Sequence, residues 1–280
     1  MPTKPTPRQA PRFDPQRTSS PEMIDLIDPT WILKALGGSL LFALLCAYVT
    51  LCVLYSHGQW QLVLHPTRTV ASTPASLGVP FTEVHFGVDS TGQPQLDGWF
   101  IPAASSTGAG AATNETALLL HSGDGSMSDA LPAARLLHDQ KLNVLLFDYR
   151  GYGHSLGQHP TEASMQADAD TALLYLTTTR SIPIASIVVY GAGAGASLAV
   201  QLCANYPAIP ALILEAPDGD FGPRVRRDPR SRIIPVGLLF DQDFALKKPL
   251  QTLTTPRLEL PTTPTNLTAF LSAHLQTRNP

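Results

Sequence analysis

Apolar positions run through this chain in three rhythms. The first 30 residues have almost none, and Pro, Thr, Arg and Gln fill them, so they bury too little surface to offset the entropy of ordering and read as a disordered tail. Ala35 to Tyr55 is a mostly apolar run with no charge, long enough at about 1.5 Å per residue to cross a bilayer core of roughly 30 Å. From Phe81 onward short apolar runs alternate with longer segments of helical period. Phe81–Phe86, Leu96–Ile101, Ala117–Leu120, Leu142–Phe147, Ile187–Tyr190, Ala211–Glu215 and Arg257–Leu260 read as strands. Ser128–Gln140, a helix N-capped by Thr161 with Met165, Ala169, Ala172, Leu173 and Leu176 on one face, Gly195–Tyr206 and Leu267–Leu275 read as helices. Buried strands alternating with helices predict a mostly parallel sheet with helices on both faces.

Flanking residues refine the apolar run. Trp31 and Lys34 precede it, and Tyr55, His57 and Trp60 follow it like an interfacial belt. A buried core helix or a cleaved signal peptide are the other readings of such a run. It is too long for a signal core, and no small-residue cleavage site follows closely. Lys4, Arg8, Arg12, Arg17 and Lys34 lie before it, and only Arg68 follows in the next 30 positions, so the positive-inside rule keeps the N-terminus cytoplasmic and exports the rest. The expected organisation is a cytoplasmic tail over 1–30, a transmembrane signal anchor over 31–57, a linker over 58–80 and a globular domain over 81–280.

Composition excludes more than it selects. A net charge of −3 gives no global reason to expect a nucleic-acid partner. Cys46, Cys52 and Cys203 suggest small apolar packing residues rather than a disulfide framework. No metal-ligand spacing or cofactor motif stands out, so no cofactor is expected. Prolines break the rhythm after Pro217, where Arg224, Arg226, Arg227, Arg230 and Arg232 crowd together. That cluster is either a solvated loop or a contact surface for acidic lipid head groups or a protein partner.

The chemistry centres on Ile187 to Val200. A β-branched run ends in Gly191-Ala192-Gly193-Ala194-Gly195, and a helical pattern follows at once. This strand–turn–helix grammar carries G-x-S-x-G in α/β-hydrolases, where it holds the serine hydroxyl above the sheet. From about Gln95 to Pro217 the chain resembles that superfamily, in particular its serine-aminopeptidase and lysophospholipase-like branch, whose members are often membrane-anchored. Leu96-Asp97-Gly98-Trp99-Phe100-Ile101-Pro102 looks like its second strand, and Leu118-Leu119-Leu120-His121 like the strand entering the oxyanion loop. Phe147 to Ser155 is similar to its D-x-R-G-x-G-x-S turn, and Leu212 to Pro217 completes the ordered set.

The resemblance implies a serine where Gly193 stands, and glycine carries no nucleophile. It implies an acid after a late strand, for which Thr265 is the aligned position and Asp218 or Asp220 the possible substitutes. It implies a histidine near the C-terminus, where only His274 remains and a final strand and helix are missing, so the fold is expected to be truncated at that end. His121-Ser122-Gly123-Asp124 resembles the oxyanion loop, with Ser122 in place of a usual glycine and Asp124 set to oppose an oxyanion. Ser197, one turn into the helix, reads as a packing residue. The resulting expectation is an inactive binding or scaffold subunit. The alternative is an active serine hydrolase for an ester, lipid or small amide, with a relocated nucleophile such as Ser122 or Ser126, although no general base is placed for either.

Overall fold

The computed structural model describes residues 29–103, 115–227, 229, 233–261 and 263–275. The tail through residue 28, Arg230 and Arg232 therefore lie outside the described residues. The chain divides into two compact units, 1–50 and 51–280.

The first strong element is α1 (Pro29–Gly58), a helix of 30 residues, roughly 45 Å at about 1.5 Å per residue. Leu33, Leu36, Leu41, Phe42, Leu44 and Leu45 are all exposed, so the helix is apolar on its solvent face. It is long and apolar enough to cross a membrane.

The second unit is an α/β-hydrolase fold. Its strands are β1 (His65–Pro66), β2 (Thr82–Val88), β3 (Pro94–Ile101), β4 (Thr116–Leu120), β5 (Asp124–Gly125), β6 (Asn143–Asp148), β7 (Ile187–Ala192), β8 (Ala211–Glu215) and β9 (Arg257–Leu260). Its helices are α2 (Leu131–Asp139), α3 (Glu162–Leu174), α4 (Gly195–Asn205), α5 (Phe221–Arg227), α6 (Val236–Leu239), α7 (Lys247–Thr252) and α8 (Pro264–His274). Seven strands form one sheet in the order β2-β3-β6-β4-β7-β8-β9. β2 and β3 pair antiparallel, β3 meets β6 antiparallel, and every pair from β6 to β9 is parallel.

The expected strands and helices are present, with small shifts at their ends. Thr161 caps α3 as the sequence predicts, its side chain accepting from Ser164 N–H. The apolar runs are continuous because both sheet faces are covered. Leu118, Leu120, Leu145, Phe147, Val189 and Leu212 face the helices α3 and α4, whereas Ala117, Leu119, Val144, Leu146, Val188 and Ile213 face α2 and α8.

One expectation is corrected. Residues 58–80, read as a linker, are built into the fold. A 3₁₀ turn at Gln59–Leu62 leads to Leu64, which is buried in the core, and β1 pairs in parallel with β5. Gln59 accepts at Oε1 from Asp241 N–H at 2.9 Å, and Trp60 stacks on His159. The segment lacks a long periodic run because two paired residues and a few buried side chains hold it.

Candidate functional site

The connection after β4 leads to β6 on one side, and the connection after β7 leads to β8 on the other. A crevice opens outside the carboxyl ends of strands where the chain reverses direction in this way. The loops that meet there carry Ser122 and Gly193.

The glycines of the elbow are required by its geometry. A Cβ on Gly191 would lie 2.7 Å from the Ala196 Cα, and one on Gly195 would lie 2.4 Å from the Leu120 and His121 carbonyl oxygens. Gly193 holds φ at +53°, the left-handed conformation of the sharp strand-to-helix turn. Its N–H donates to the Glu215 carbonyl at 3.1 Å, and its carbonyl accepts from Asp218 N–H at 3.0 Å, so β8 and its following loop fix the turn. Position 193 is thus the tip of the elbow, and it has no side chain there.

The oxyanion-like loop is held from below by the turn after β6. Tyr149 donates its hydroxyl to the His121 carbonyl at 3.1 Å, and Tyr152 donates to the Gly123 carbonyl at 2.8 Å. Asp148 Oδ1 accepts from Met127 N–H at 2.6 Å, Oδ2 is buried without a hydrogen-bond partner, and burial pushes the carboxyl pKa up to about 7. His121 lies 3.6 Å from it through Nε2, and burial lowers the imidazole to about 4. His121 is therefore neutral near neutral pH, whereas Asp148 loses its proton around pH 7. Ser155 donates to the Asp148 carbonyl and accepts from Asp97 N–H, as expected of a turn residue.

Two cavities open at Gly193. One, of about 290 Å³, is lined by Leu62, Val63, His65, Ser122, Gly123, Asp124, Gly193, Ala194, Asp218, Phe221, Arg224 and Val225. The other, of about 380 Å³, is lined by His121, Ser122, Ser126, Asp129, Glu215 and Ala216 among others. A larger hollow of about 660 Å³ lies away from the elbow, along β2 and α3, with Arg150 and Asp168 on its wall.

The anticipated site residues separate clearly. Asp218 lines the cavity and pairs with Arg224, whose guanidinium also lies 4.8 Å over the Phe221 ring. The Asp218 contact raises the Arg224 pKa. Asp220 instead accepts from Leu246 and Lys247 N–H at the start of α7 and does not line the cavity. Arg226 and Arg227 are exposed on α5. His274 stacks edge-on against Phe270 at the end of α8 and lines neither Gly193 cavity. Ser197 is buried in α4 and donates to the Ala245 carbonyl at 2.9 Å, so its packing role holds. Ser126 is occupied as a cap, bonding the Thr69 carbonyl and Ser128.

The structure adds a residue that the sequence reading does not place here. His65 shares the cavity wall with Ser122 and pairs through Nδ1 with Asp124 Oδ1 at 2.7 Å. The β1–β5 pairing sets this contact, with His65 opposite Asp124 in register. The sequence places no general base for Ser122, and the structure sets an imidazole, His65, on the wall of the same cavity. Asp124 does not stand as a lone carboxylate against an oxyanion, because His65 engages it. Among the described residues, no group of three or more His, Cys, Asp or Glu could hold a metal ion.

Comparison with known proteins agrees with this fold. A family model described as serine aminopeptidase, S33, matches residues 112–260. The chain belongs to this S33 family of α/β-hydrolases. Protein bem46 of Schizosaccharomyces pombe is 42% identical over 102 residues, covering 36% of this chain and 34% of that protein. An uncharacterised protein of Mycobacterium tuberculosis is 37% identical over 123 residues, covering 44% and 41%. The chain thus spans between a third and under half of the length of these curated relatives. Among solved structures, an esterase of Pyrococcus furiosus superposes with a TM-score of 0.56 at 17% identity, covering 76% of this chain and 98% of that one. An α/β hydrolase of Vibrio vulnificus gives 0.55 at 21% identity, covering 75% and 76%. At these identities the likeness shows the S33 chain's fold alone.

Proposed function

We propose that this S33-family chain is a membrane-anchored binding protein that holds a carbonyl- or carboxylate-bearing ligand in the Gly193 cleft, with the elbow no longer the attacking group. The observation that carries the reading is Gly193 itself, at the elbow tip with φ +53° and facing two cavities. Removal of a triad serine leaves binding and oxyanion contacts as the remaining functions of such a site. The smaller cavity suits that role, because Leu62, Phe221 and Val225 offer apolar wall while Arg224, paired with Asp218, stands among its lining residues. In this reading α1 spans the membrane, the basic N-terminal segment stays cytoplasmic, and the domain lies on the far side. Arg224, Arg226 and Arg227 on α5 then present positive charge to acidic lipid head groups or to an acidic protein partner, and nucleic acid is not a partner.

The test is calorimetry of the full chain in lipid nanodiscs with hexanoate. Saturable binding that Val225→Trp removes by filling the cavity supports the reading. Absence of binding, or binding that Val225→Trp leaves unchanged, overturns it. A reporter fusion at the C-terminus checks the side on which the domain lies.

A further inference from the structure

We infer that the attacking hydroxyl has moved across the cleft from position 193 to Ser122, with His65 as its base and Asp124 positioning His65. This goes beyond ligand binding and rests on the ligand occupying the Gly193 cleft.

The inference starts from a paired exchange. The resemblance implies serine at 193 and glycine at 122, and this chain has glycine at 193 and serine at 122. A Cβ built on Gly193 would lie 3.0 Å from the Ser122 Cβ, so the one side chain stands against the place vacated by the other. A serine at both positions would crowd the turn.

The second observation is a base on the same wall. His65 and Asp124 are bonded at 2.7 Å, and both line the cavity with Ser122 and Gly193. Pairing through Nδ1 fixes the imidazole tautomer and leaves Nε2 to take a proton. Backbone bonds hold the base in place, since His65 N–H donates to the Gly123 carbonyl at 2.9 Å. Ser122 rests with its hydroxyl on the Asp124 carbonyl at 3.1 Å, so the attack requires a rotation about χ1 that releases this contact. Ala194, at the start of α4, lines the same wall. Ser126 bonds the Thr69 carbonyl and Ser128, Ser197 bonds the Ala245 carbonyl, and neither lines the cavity that His65 lines.

The chemistry balances with water as the sole co-reactant. Ser122 Oγ attacks the carbonyl carbon of a short-chain ester and passes its proton to His65 Nε2. The ester C–O bond breaks, and the departing alkoxide takes that proton as an alcohol. Water then attacks the acyl–Ser122 carbonyl and gives a proton to His65. The acyl–Oγ bond breaks, Ser122 regains its proton, and a carboxylic acid leaves. The small cavity limits the acyl group to a short chain.

The test uses the full chain in nanodiscs, a fluorophosphonate probe with mass-spectrometric localisation, and p-nitrophenyl butyrate hydrolysis. The expected result is a phosphonyl adduct on Ser122 that is lost in Ser122→Ala. Hydrolysis falls to the background rate in Ser122→Ala and by about 10²–10⁴-fold in His65→Gln. Asp124→Asn lowers kcat with KM unchanged, which a purely structural role would not produce. Unchanged melting of Ser122→Ala shows that the loss is chemical. An adduct elsewhere, no adduct, or full turnover in Ser122→Ala overturns the inference. Hexanoate binding without an adduct removes this chemistry and keeps the binding reading, whereas loss of both removes both. An adduct without hexanoate binding keeps the chemistry and removes the carboxylate ligand class.

Discussion

The Ser122 Cβ lies 3.0 Å from the point that a Cβ on Gly193 would occupy, and Gly193 holds φ at +53°. Placing a serine at 193 is therefore costly in this context. Gly193→Ser is expected to lose about 1–3 kcal/mol of stability, from a left-handed non-glycine residue and the close contact. Adding Ser122→Gly should recover part of that loss, so a double-mutant cycle by chemical denaturation should report a clear coupling between the two sites. Strict additivity would show that the two positions do not compete for space.

The buried pair beneath the oxyanion-like loop makes a pH-dependent outcome explicit. Asp148 is raised to about 7 from 3.8, so the native state holds its proton where the unfolded chain releases it. Its contribution is full below about pH 4 and is lost as pH rises through 7. His121 is lowered to about 4 from 6.5, so its contribution is full above about pH 6.5 and is lost as pH falls through 4. The two slopes oppose each other between pH 4 and 7. Asp148→Asn keeps an acceptor for Met127 N–H and removes one slope. Compared with wild type, its stability should fall on acidification across that window by up to about 1.4 kcal/mol per pH unit. Parallel curves for the two proteins, from urea titrations at several pH values, would contradict this.

Leu64 tests whether residues 58–80 belong to the fold. It is 1% exposed and joins the core cluster on the α3–α4 side of the sheet. Leu64→Ala is expected to cost about 2–5 kcal/mol, the usual range for emptying a well-packed core position. A flexible linker residue would cost nothing measurable.

Arg224 separates stability from ligand affinity. Its pair with Asp218 is largely exposed, so Arg224→Gln should change the unfolding free energy by less than about 1 kcal/mol. The same variant should weaken hexanoate binding about tenfold, consistent with loss of one charged hydrogen bond. Equal effects on both measurements would assign the arginine a structural role only.

The α1 helix has a direct check as well. Leu44 and Leu45 are exposed near its middle, and arginine at each costs about 2.5–3.5 kcal/mol in a membrane-centred helix. The double variant Leu44→Arg, Leu45→Arg should shift the chain from the carbonate-resistant membrane fraction to the soluble or aggregated one.

Much of this architecture is legible in the sequence, and the reason is local. The buried strands carry continuous apolar runs, Thr161 announces its helix, and three glycines mark the elbow because backbone atoms crowd two of them and φ demands the third. Ser122 is visible as a departure from the resemblance. His65 is not visible, because its role depends on a two-residue pairing with a segment 59 positions away. The nearest sequence signal is the apolar Leu62-Val63-Leu64 before it, which marks burial and says nothing of a partner. The choice between Asp218 and Asp220 is equally hidden, since it turns on which side chain the α7 start recruits.

Gly191 and Gly195 are held to their identity by the Ala196 Cα and by the Leu120 and His121 carbonyls, all of them backbone atoms. Selection for folding alone would keep both glycines in a chain that cleaves nothing. Searches keyed to that frame therefore gather proteins by backbone shape, and reactivity has to be judged separately from the one residue between them and from the wall it faces.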